Sequence, residues 1–397
     1  RMLLSLGATL LSCPFRFSAV AHAFFRRAPA DCSAGAARLR CGPLSGRRTL
    51  LRGSRPRFRG RRSVPHMLDF EKLDSAEDDR KSASAGEAAS PKPAAVGGGR
   101  APPFRLLTWN TLAPVYFRGD RGRGLEADQP GAFLARNAKI CAAIAEAAAD
   151  VVCLQEHWFE PMFTKLYKER LGELGYRYEA LQRTAWNCDG RTEDGIAVLV
   201  QERTFKLVGR HDVRFHDYGI PQDRVALLLT LCDARAGREA PEVAVLCTHL
   251  TYPHSRYDVE SRNAQIIACL TAAERHLPRG MPLVVAGDLN GPSSDSVSAL
   301  LRRAGFQNAW DTLRGQPCRV THTDHRGNSF ASDHVWLRGP LTAQEASLLP
   351  EGTPDGAPLQ RPTIGAAAGG QAAPKGFAEW CELSDHRPLA ATLAWAA

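Results

Sequence analysis

The chain has 397 residues, of which 44% are hydrophobic and 23% charged, values typical of a globular protein with one large domain or two ordinary ones. Its net charge of +9 is unevenly distributed: residues 1–66 hold fourteen arginines, no lysine and one acid, Asp31, which leaves the remainder at −4. A broad basic face is therefore excluded on the body, and a polyanion would have to be held by a local patch. Because no apolar stretch reaches about 18 residues, we expect no membrane span and no membrane partner.

Three segments of biased composition divide the chain. In residues 1–66, an apolar run is followed by Ala21-His22-Ala23, a small-x-small cleavage pattern, and then by an arginine-rich, acid-poor stretch, which predicts a targeting leader. The order of these parts is similar to that of two-part plastid leaders of algae, so we expect a plastid address, with the mitochondrion as the alternative. Residues 67–103 predict a disordered linker, and a second Gly/Ala/Pro-rich segment near 350–375 predicts a loop insertion in the body at 104–397.

Strands and helices alternate along the body. Short apolar, β-branched runs predict strands at 104–110, 151–155, 195–201, 225–231, 243–248, 282–287, 333–337 and 388–395. Apolar residues at helical spacing predict helices at 132–150, 160–174, 259–275 and 294–305. This alternation, in two rounds, predicts a layered α/β domain.

The cysteines indicate a reducing compartment. There are eleven, an odd number, and none forms a Cys-x-x-Cys pair. This pattern argues against both a disulfide framework and a zinc site.

Polar residues follow or precede many of the predicted strands. Those with side chains suited to acid, base or metal chemistry are Asn110, Gln155, Glu156, Thr248, His249, Asp288, Asn290, Asp333, Asp385 and His386. Each alone is more simply explained as a solvated turn or a cap, because Asn and Asp favour such positions. Together they could converge on one edge of a sheet sandwich, where loops carry sites on a rigid scaffold.

The ordered series Thr-Trp-Asn, Leu-Gln-Glu, Thr-His-Leu, Gly-Asp-Leu-Asn and Ser-Asp-His resembles that of the endonuclease/exonuclease/phosphatase superfamily, over about residues 104–397. The stretches TWNTLAPVY and EDGIAVLV are most similar to its deadenylase and nocturnin-like branch, and THTDHRGNSFASDHVWLRGP to a little-characterised group of plant relatives. Some of those relatives carry an EF-hand, but no Asp-x-Asp-x-Asp-Gly loop occurs here, so calcium binding is not inferred. The resemblance implies a four-layer α/β sandwich, with two packed sheets flanked by helices, and a metal-dependent hydrolase of phosphoric esters.

By this resemblance, Glu156 is the main magnesium ligand, with Asn110 and Asp385 beside it and manganese as the alternative ion. Magnesium prefers hard oxygen ligands and keeps several waters, so one or two carboxylates suffice.

The resemblance also implies the catalytic residues. Asp288 would orient or deprotonate the attacking water, and Asn290 would steady the phosphorane. His249 and His386 would contact the scissile phosphate, while Asp333 would hold the tautomer of His386. One departure is the Ser-Asp-His that contains Asp333, where many relatives have Ile-Asp-Tyr; we interpret its histidine, His334, as a strand residue.

Two loops supply candidate substrate contacts, because they mix aromatic residues with arginines, a combination that suits stacking on bases and contacts to phosphates. The candidates are Arg118, Arg121, Arg123, Trp186 and Arg191. Solvated loops with half-buried rings explain the pattern equally well. We therefore expect a nucleic-acid substrate, RNA first, and no obvious protein partner.

Two alternatives stay open. One is a phosphatase or lipid phosphodiesterase acting on a small phosphorylated substrate; Gly-Asp-Leu-Asn and Ser-Asp-His also occur in inositol phosphatase relatives, but their Pro-x-Trp-Cys-Asp run is not seen. The other is a binding scaffold that kept the fold and lost turnover, against which the complete set of acidic and histidine positions argues.

Overall fold

The fold was analysed in a computed structural model that describes residues 101–117, 124–185, 193–237, 240–360 and 375–396. The described strands are β1 (Phe104–Asn110), β2 (Val151–Trp158), β3 (Tyr176–Gln182), β4 (Asp194–Gln201), β5 (Phe205–Arg214), β6 (Val225–Asp233), β7 (Glu242–His249), β8 (Leu283–Asp288), β9 (Gln307–Asn308), β10 (His322–Thr323), β11 (Ser329–Phe330), β12 (Asp333–Arg338), β13 (Leu341–Leu348) and β14 (Leu389–Trp395). The described α-helices are α1 (Pro130–Ala147), α2 (Pro161–Gly172), α3 (Arg256–His276), α4 (Ser296–Arg303), α5 (Ala309–Arg314) and α6 (Phe377–Cys381). Short 3-10 helices lie at Glu126–Asp128 and Phe215–Tyr218.

Two six-stranded mixed sheets form the body. The first has the order β13-β14-β1-β2-β4-β3 and the second β5-β6-β7-β8-β12-β9, while β10 and β11 pair as a separate hairpin. Within each sheet one pair is parallel, β1 with β2 and β7 with β8, and each of these pairs is joined through a helix, α1 or α3. A crossover helix is the usual way to connect parallel neighbours, and it brings the carboxyl ends of both strands to one edge.

The central strands are buried on both faces, which explains their nearly continuous apolar sequences. Leu106 of β1 packs with Val245 of β7 in the core between the two sheets, whereas the next residue, Leu107, packs on the opposite face with Ile140 of α1. A third core lies between the second sheet and α3, where Leu246 meets Ile266. The order helix, sheet, sheet, helix is the four-layer sandwich that the sequence predicts.

Local capping explains where the helices begin. Ser255 accepts a hydrogen bond from the backbone of Asp258, whose side chain in turn accepts from the backbone of Ser255, so a capping box starts α3. Glu160 caps α2 through the backbone of Phe163, and Pro161 occupies the first turn, where its missing N–H costs nothing. Among the described residues, no helix combines the length and the apolar character that crossing a membrane requires.

The sequence prediction missed β3, β5, β9 and β13, together with α5, α6 and the β10–β11 hairpin. It placed the other elements within a few residues of their observed bounds. The predicted leader, the linker up to residue 100 and residues 361–374 of the predicted insertion lie outside the described residues. In the part of that insertion that is described, 350–360, the chain forms turns.

Candidate active site

Eight residues predicted from the sequence meet at one edge of the sandwich: Asn110, Glu156, His249, Asp288, Asn290, Asp333, Asp385 and His386. The first sheet contributes Asn110 at the end of β1 and Glu156 within β2. It also contributes the Asp385–His386 pair, which precedes β14. His249, Asp288 and Asp333 come from the second sheet, where Asp333 lies directly opposite Asp288 in the antiparallel β8–β12 pair. The site therefore lies where the two sheets meet.

Asp288 is the centre of this group. Its Oδ2 accepts a hydrogen bond from the side-chain amide of Asn110 at 3.0 Å, and its Oδ1 accepts one from the backbone N–H of Asn290 at 2.9 Å. The Nε2 atoms of His249 and His386 lie 3.4 and 3.7 Å from Oδ2. Burial, with the nearby charge of Asp333, raises the pKa of Asp288 to about 6.

His386 is held by Asp333. Its Nδ1 lies 2.8 Å from Asp333 Oδ2, which also accepts hydrogen bonds from the hydroxyls of Thr321 and Ser332 at 2.7 and 2.9 Å. Burial alone would lower the pKa of His386, but the charge and hydrogen bond of Asp333 outweigh it and raise the pKa to about 10. The pair therefore presents a cationic imidazole, with its ring fixed, toward Asp288.

Glu156 reaches the site because β2 is bulged. The pairing of β2 with β4 shifts between Gln155 and His157, and Glu156 itself adopts a left-handed backbone with φ 54°. Such a bulge redirects one side chain, here toward Asn110, whose amide donates to Glu156 Oε1 at 3.2 Å. Burial, together with the charges of Asp194 and Asp385, raises the pKa of Glu156 to about 7.

Asn110 bridges two carboxylates. Its amide nitrogen donates to both Glu156 and Asp288, while its Oδ1 accepts from the backbone N–H of Leu112 at 3.1 Å. A role as metal ligand would require Oδ1, which in this arrangement is directed at the backbone. The observed contact is thus between the amide N–H group and the acids.

His249 is the last residue of β7, and Asn290 lies two residues after the end of β8. His249 is buried and its Nδ1 makes no hydrogen bond in the described part of the chain; burial and the nearby Arg224 and Arg183 guanidinium groups lower its pKa. Asn290 also has a left-handed backbone, φ 55°, and its amide donates to the carbonyl of Leu250 at 2.7 Å. The turn after β8 is therefore tied to the turn after β7.

A cluster next to His249 was not assigned to the site from the sequence. Arg183, which precedes β4, donates to Asp194 Oδ1 at 3.0 Å and to the hydroxyl of Tyr116 at 2.8 Å, and also contacts Asp223. Arg183 and Asp194 line a small pocket together with Arg224 and His249, and one guanidinium nitrogen of Arg224 has no hydrogen-bond partner among the described residues. The signal in the sequence was the position of Arg183 at the start of the predicted substrate loop at 183–191 and that of Asp194 directly before the predicted strand at 195–201.

His322 was also missed. It lies on β10, buried to 7% exposure, and its ring stacks on that of His386 with 4.0 Å between centroids and an interplanar angle of 8°. Its Nε2 lies 3.8 Å from Asp385 Oδ2, and burial, with the neighbouring His386, lowers its pKa to about 4. The stretch Thr-His-Thr contains no pattern that separates this histidine from a solvated one.

His334 is a core strand residue, as the sequence predicts. It is 2% exposed on β12, and its Nε2 lies 2.8 Å from the carbonyl of Gly291. In contrast, the predicted substrate contacts Arg118, Arg121, Arg123, Trp186 and Arg191 all lie outside the described residues.

The chemistry of this site suits a divalent cation. Three carboxylates, those of Glu156, Asp288 and Asp385, lie in this site; burial and nearby acids raise the pKa of Glu156, through Asp194 and Asp385, and that of Asp288, through Asp333. Asp385 Oδ1 has no hydrogen-bond partner in the described part of the chain, and Asp333 Oδ1 likewise has none. Hard oxygen atoms without partners are the ligands that Mg²⁺ and Mn²⁺ prefer, so the residues fit such an ion.

Two facing mixed sheets with acidic and histidine residues at their common edge are the fold and the site that the motif series implies. The sequence profile of the Endonuclease/Exonuclease/phosphatase family matches residues 107–386, more than half of the chain. The chain therefore belongs to the Endonuclease/Exonuclease/phosphatase family.

Individual proteins with similar sequences agree with this family membership. The chain is 31% identical over 256 residues to an uncharacterised calcium-binding protein of Arabidopsis thaliana, covering 60% of this chain and 51% of that protein. It is 26% identical over 208 residues to human nocturnin, covering 49% of this chain and 45% of nocturnin. The chain thus spans about half the length of the curated relatives it matches.

Solved structures show the same fold. The human nocturnin catalytic domain with bound sulfate superimposes with a TM-score of 0.53 at 20% identity, covering 75% of this chain and 96% of that domain. A family member from Beutenbergia cavernae superimposes with a TM-score of 0.51 at 18% identity, covering 75% and 72%. The predicted similarity to nocturnin and to a plant relative is confirmed.

Proposed function

We propose that the chain is a divalent-metal-dependent phosphodiesterase that hydrolyses RNA or another nucleic acid. The observation that carries this proposal is the meeting of three carboxylates with the imidazoles of His249 and His386 at one edge of the two sheets. Phosphodiester hydrolysis needs an oriented water, and cationic groups where negative charge develops. The site places the imidazoles of His249 and His386 at 3.4 and 3.7 Å from the carboxylate of Asp288.

The ionisation states of Asp288 and His386 suit them to different roles in this reaction. Asp288, with a pKa of about 6, is an acceptor suited to orienting or deprotonating water near neutral pH. His386, kept cationic by Asp333, places positive charge beside Asp288, where a phosphoryl oxygen would lie. A divalent ion held by Glu156 and Asp385 would supply Lewis-acid stabilisation of the phosphoryl oxygens.

The nucleic-acid part of the proposal depends on local contacts. The body carries a net charge of −4, so substrate binding would rest on the arginine- and aromatic-containing loops at 116–124 and 183–191. The pocket beside His249 adds the guanidinium group of Arg224, whose Nη1 has no hydrogen-bond partner among the described residues. Guanidinium groups bind phosphate oxygens in a fork geometry, which favours a polyanionic substrate.

A substrate panel tests the proposal. The full chain would be incubated with RNA and DNA oligonucleotides, an inositol polyphosphate and sphingomyelin, in Mg²⁺, in Mn²⁺ and in EDTA. We expect turnover of RNA that EDTA abolishes and that Asp288→Asn lowers by about 10²–10⁴-fold, the contribution of a general base. Asp217→Asn, an exposed aspartate on the 3-10 helix after β5, is the matched control and should leave turnover unchanged.

The same panel separates the alternatives. Turnover of the inositol phosphate or the lipid without turnover of nucleic acid would place the chain among small-substrate phosphatases or lipid phosphodiesterases. Turnover that survives EDTA would contradict the metal mechanism, and no turnover of any ester would leave a binding scaffold.

A further inference from the structure

The proposed mechanism leaves one buried imidazole of the site unused. Neither ring nitrogen of His322 makes a hydrogen bond within the described part of the chain: Nδ1 is buried without a partner, and Nε2 is 3.8 Å from Asp385 Oδ2, too far for a hydrogen bond. A buried polar atom left without a hydrogen-bond partner destabilises the folded state. A packing role alone would be served at lower cost by an apolar ring.

The orientation of His322 is nevertheless well defined. Its ring lies parallel to that of His386, and it makes a T-shaped contact with the ring of Phe330, with 5.0 Å between centroids. The backbones of His322 and His386 form an isolated β-bridge, and the N–H of Thr323 donates to the carbonyl of Asp385 at 3.1 Å. These contacts fix the His322 nitrogen next to the Asp385 carboxylate.

Stacking decides which ligands could share an ion with His322. The ligand atoms of His322, Asp385 and His386 lie within 4.8 Å of one another. An imidazole binds a metal in its own ring plane, and two parallel planes about 4 Å apart share no point, so both rings cannot coordinate one ion. Nε2 of His386 lies 3.7 Å from Asp288 Oδ2 and 4.0 Å from Asp385 Oδ1, whereas the other oxygen of Asp385, Oδ2, lies 3.8 Å from Nε2 of His322. The Asp385 Oδ2 atom is therefore the one that pairs with His322.

The distance between these two groups suits a shared ion. Ligands that each lie about 2.1 Å from one metal are themselves about 3–4 Å apart. Nε2 of His322 and Oδ2 of Asp385, at 3.8 Å, fall in this range. Asp385 Oδ1, which also has no hydrogen-bond partner among the described residues, adds a further oxygen at the same position.

We propose that His322 and Asp385 together bind a divalent transition-metal ion, so that the site favours such an ion over Mg²⁺. Nitrogen ligands favour transition ions, whereas Mg²⁺ prefers oxygen. The inference rests on the metal dependence in the proposed function and adds to it which ion is selected and by which residue.

The test compares metal affinity in the full chain with that of His322→Phe, which keeps an aromatic ring on His386 but removes both nitrogens. Isothermal titration with Co²⁺ and with Mg²⁺ gives the two dissociation constants, and the visible absorption of Co²⁺ reports its ligands. We expect His322→Phe to weaken Co²⁺ binding at least about tenfold and Mg²⁺ binding by much less. His254→Phe, at an exposed histidine next to Tyr252, is the matched control and should change neither.

Each outcome is decisive. Equal weakening for both ions, or no change in either, overturns the inference while leaving the proposed function intact. If the wild-type chain binds neither ion, the proposed metal dependence itself fails. If His322→Phe does not fold, X-ray absorption of the Co²⁺-loaded wild-type chain decides: scattering from an imidazole that His322→Gln removes supports the inference, and a site with oxygen ligands alone overturns it.

Discussion

Asp288 illustrates how much of the site depends on neighbours that are distant in the chain. Its carboxylate is contacted by Asn110, His249 and His386, which come from three separate segments of the chain. The same crowding places Glu156 near the charges of Asp194 and Asp385. In the metal-free protein the negative charges of these grouped carboxylates repel one another, and this repulsion lowers the stability of the folded state.

The raised pKa of Glu156 predicts pH-dependent stability in EDTA. Because its folded pKa is about 7 against an ordinary 4.5, the folded chain binds the proton more tightly than the unfolded chain, and stability falls as pH rises from about 4.5 to 7. Glu156→Gln removes this penalty, so at pH 8 in EDTA we expect a melting temperature above that of wild type, by about 2–4 °C for each kcal/mol relieved. Near pH 4.5 the wild type and Glu156→Gln should have the same melting temperature.

Thermal scans at both pH values, with and without Mg²⁺ or Mn²⁺, check this prediction. The wild type should gain stability from the ion and Glu156→Gln should gain little. Glu202→Gln, an exposed glutamate in the turn after β4, should behave as wild type throughout. A lower melting temperature for Glu156→Gln at pH 8 in EDTA would contradict the account of crowded charges.

The strand ends that hold the site are shaped by backbone conformations that few residues adopt. Glu156 and Asn290 are left-handed, with φ 54° and 55°, and Gly287 has φ 149°. Gly287 faces Thr248 across the parallel β7–β8 pair, immediately before Asp288 and beside His249. Close approach of these two backbones is what brings the imidazole of His249 to the Asp288 carboxylate.

Gly287→Ala should separate these strands. A Cβ at this position would overlap the carbonyl oxygen of Thr248. The backbone φ of Gly287 is also one that residues other than glycine rarely adopt. We expect a loss of about 1–3 kcal/mol of unfolding free energy from the backbone strain, with a further loss from the overlap, measured by urea denaturation. Turnover should fall even in the folded fraction, because His249 and Asp288 both move.

Gly219→Ala is the matched control. Gly219 also has a positive φ, 77°, but nothing lies within 4 Å of an added Cβ, so only the strain should appear and turnover should be unchanged. Equal losses for the two variants would show that contact with Thr248 is unimportant.

The strands that the sequence prediction missed share a physical explanation. β3, β5, β9 and β13 are the outermost strands of the two sheets. An edge strand is covered by fewer neighbours, so its sequence keeps polar and exposed positions, such as Val208 at 53% exposure and the Gln-Glu in β13. Continuous apolar runs marked the central strands, while the edges carried too little apolar signal to be recognised.

The positive charge of the chain is concentrated in residues 1–66, and the remaining body is mildly acidic, with a net charge of −4. If the predicted loop arginines Arg118, Arg121 and Arg123 hold the substrate, binding should be only weakly salt-dependent, since each contact to a single strand contributes a slope of roughly −0.7. We expect the triple alanine variant to flatten the slope and raise KM for an oligonucleotide. Hydrolysis of a small chromogenic phosphodiester should be nearly unchanged, and an equal loss on both substrates would mean that the loop supports the catalytic centre.

Residues 1–66 motivate a prediction about cellular location. Their arginine-rich, acid-poor composition is that of an import signal, and we propose a plastid destination, with the mitochondrion as the alternative. A fusion of residues 1–103 to a fluorescent protein should accumulate in the organelle in a shortened form. A diffuse cytosolic signal of full length would argue against import.

The sequence by itself determined the family, the layered α/β class, the central strands and most of the acidic and histidine residues of the site, because these depend on local apolar runs and on short motifs in a recognisable order. Only the tertiary structure decided which side chains meet. Asp333 faces Asp288 through strand register, and Arg183 reaches Asp194 and Tyr116 through chain folding. His322 stacks on His386 across 64 residues of sequence, a contact for which a three-residue stretch carries no signal. Such contacts arise from register and packing between segments far apart in the chain, and these are properties of the folded state.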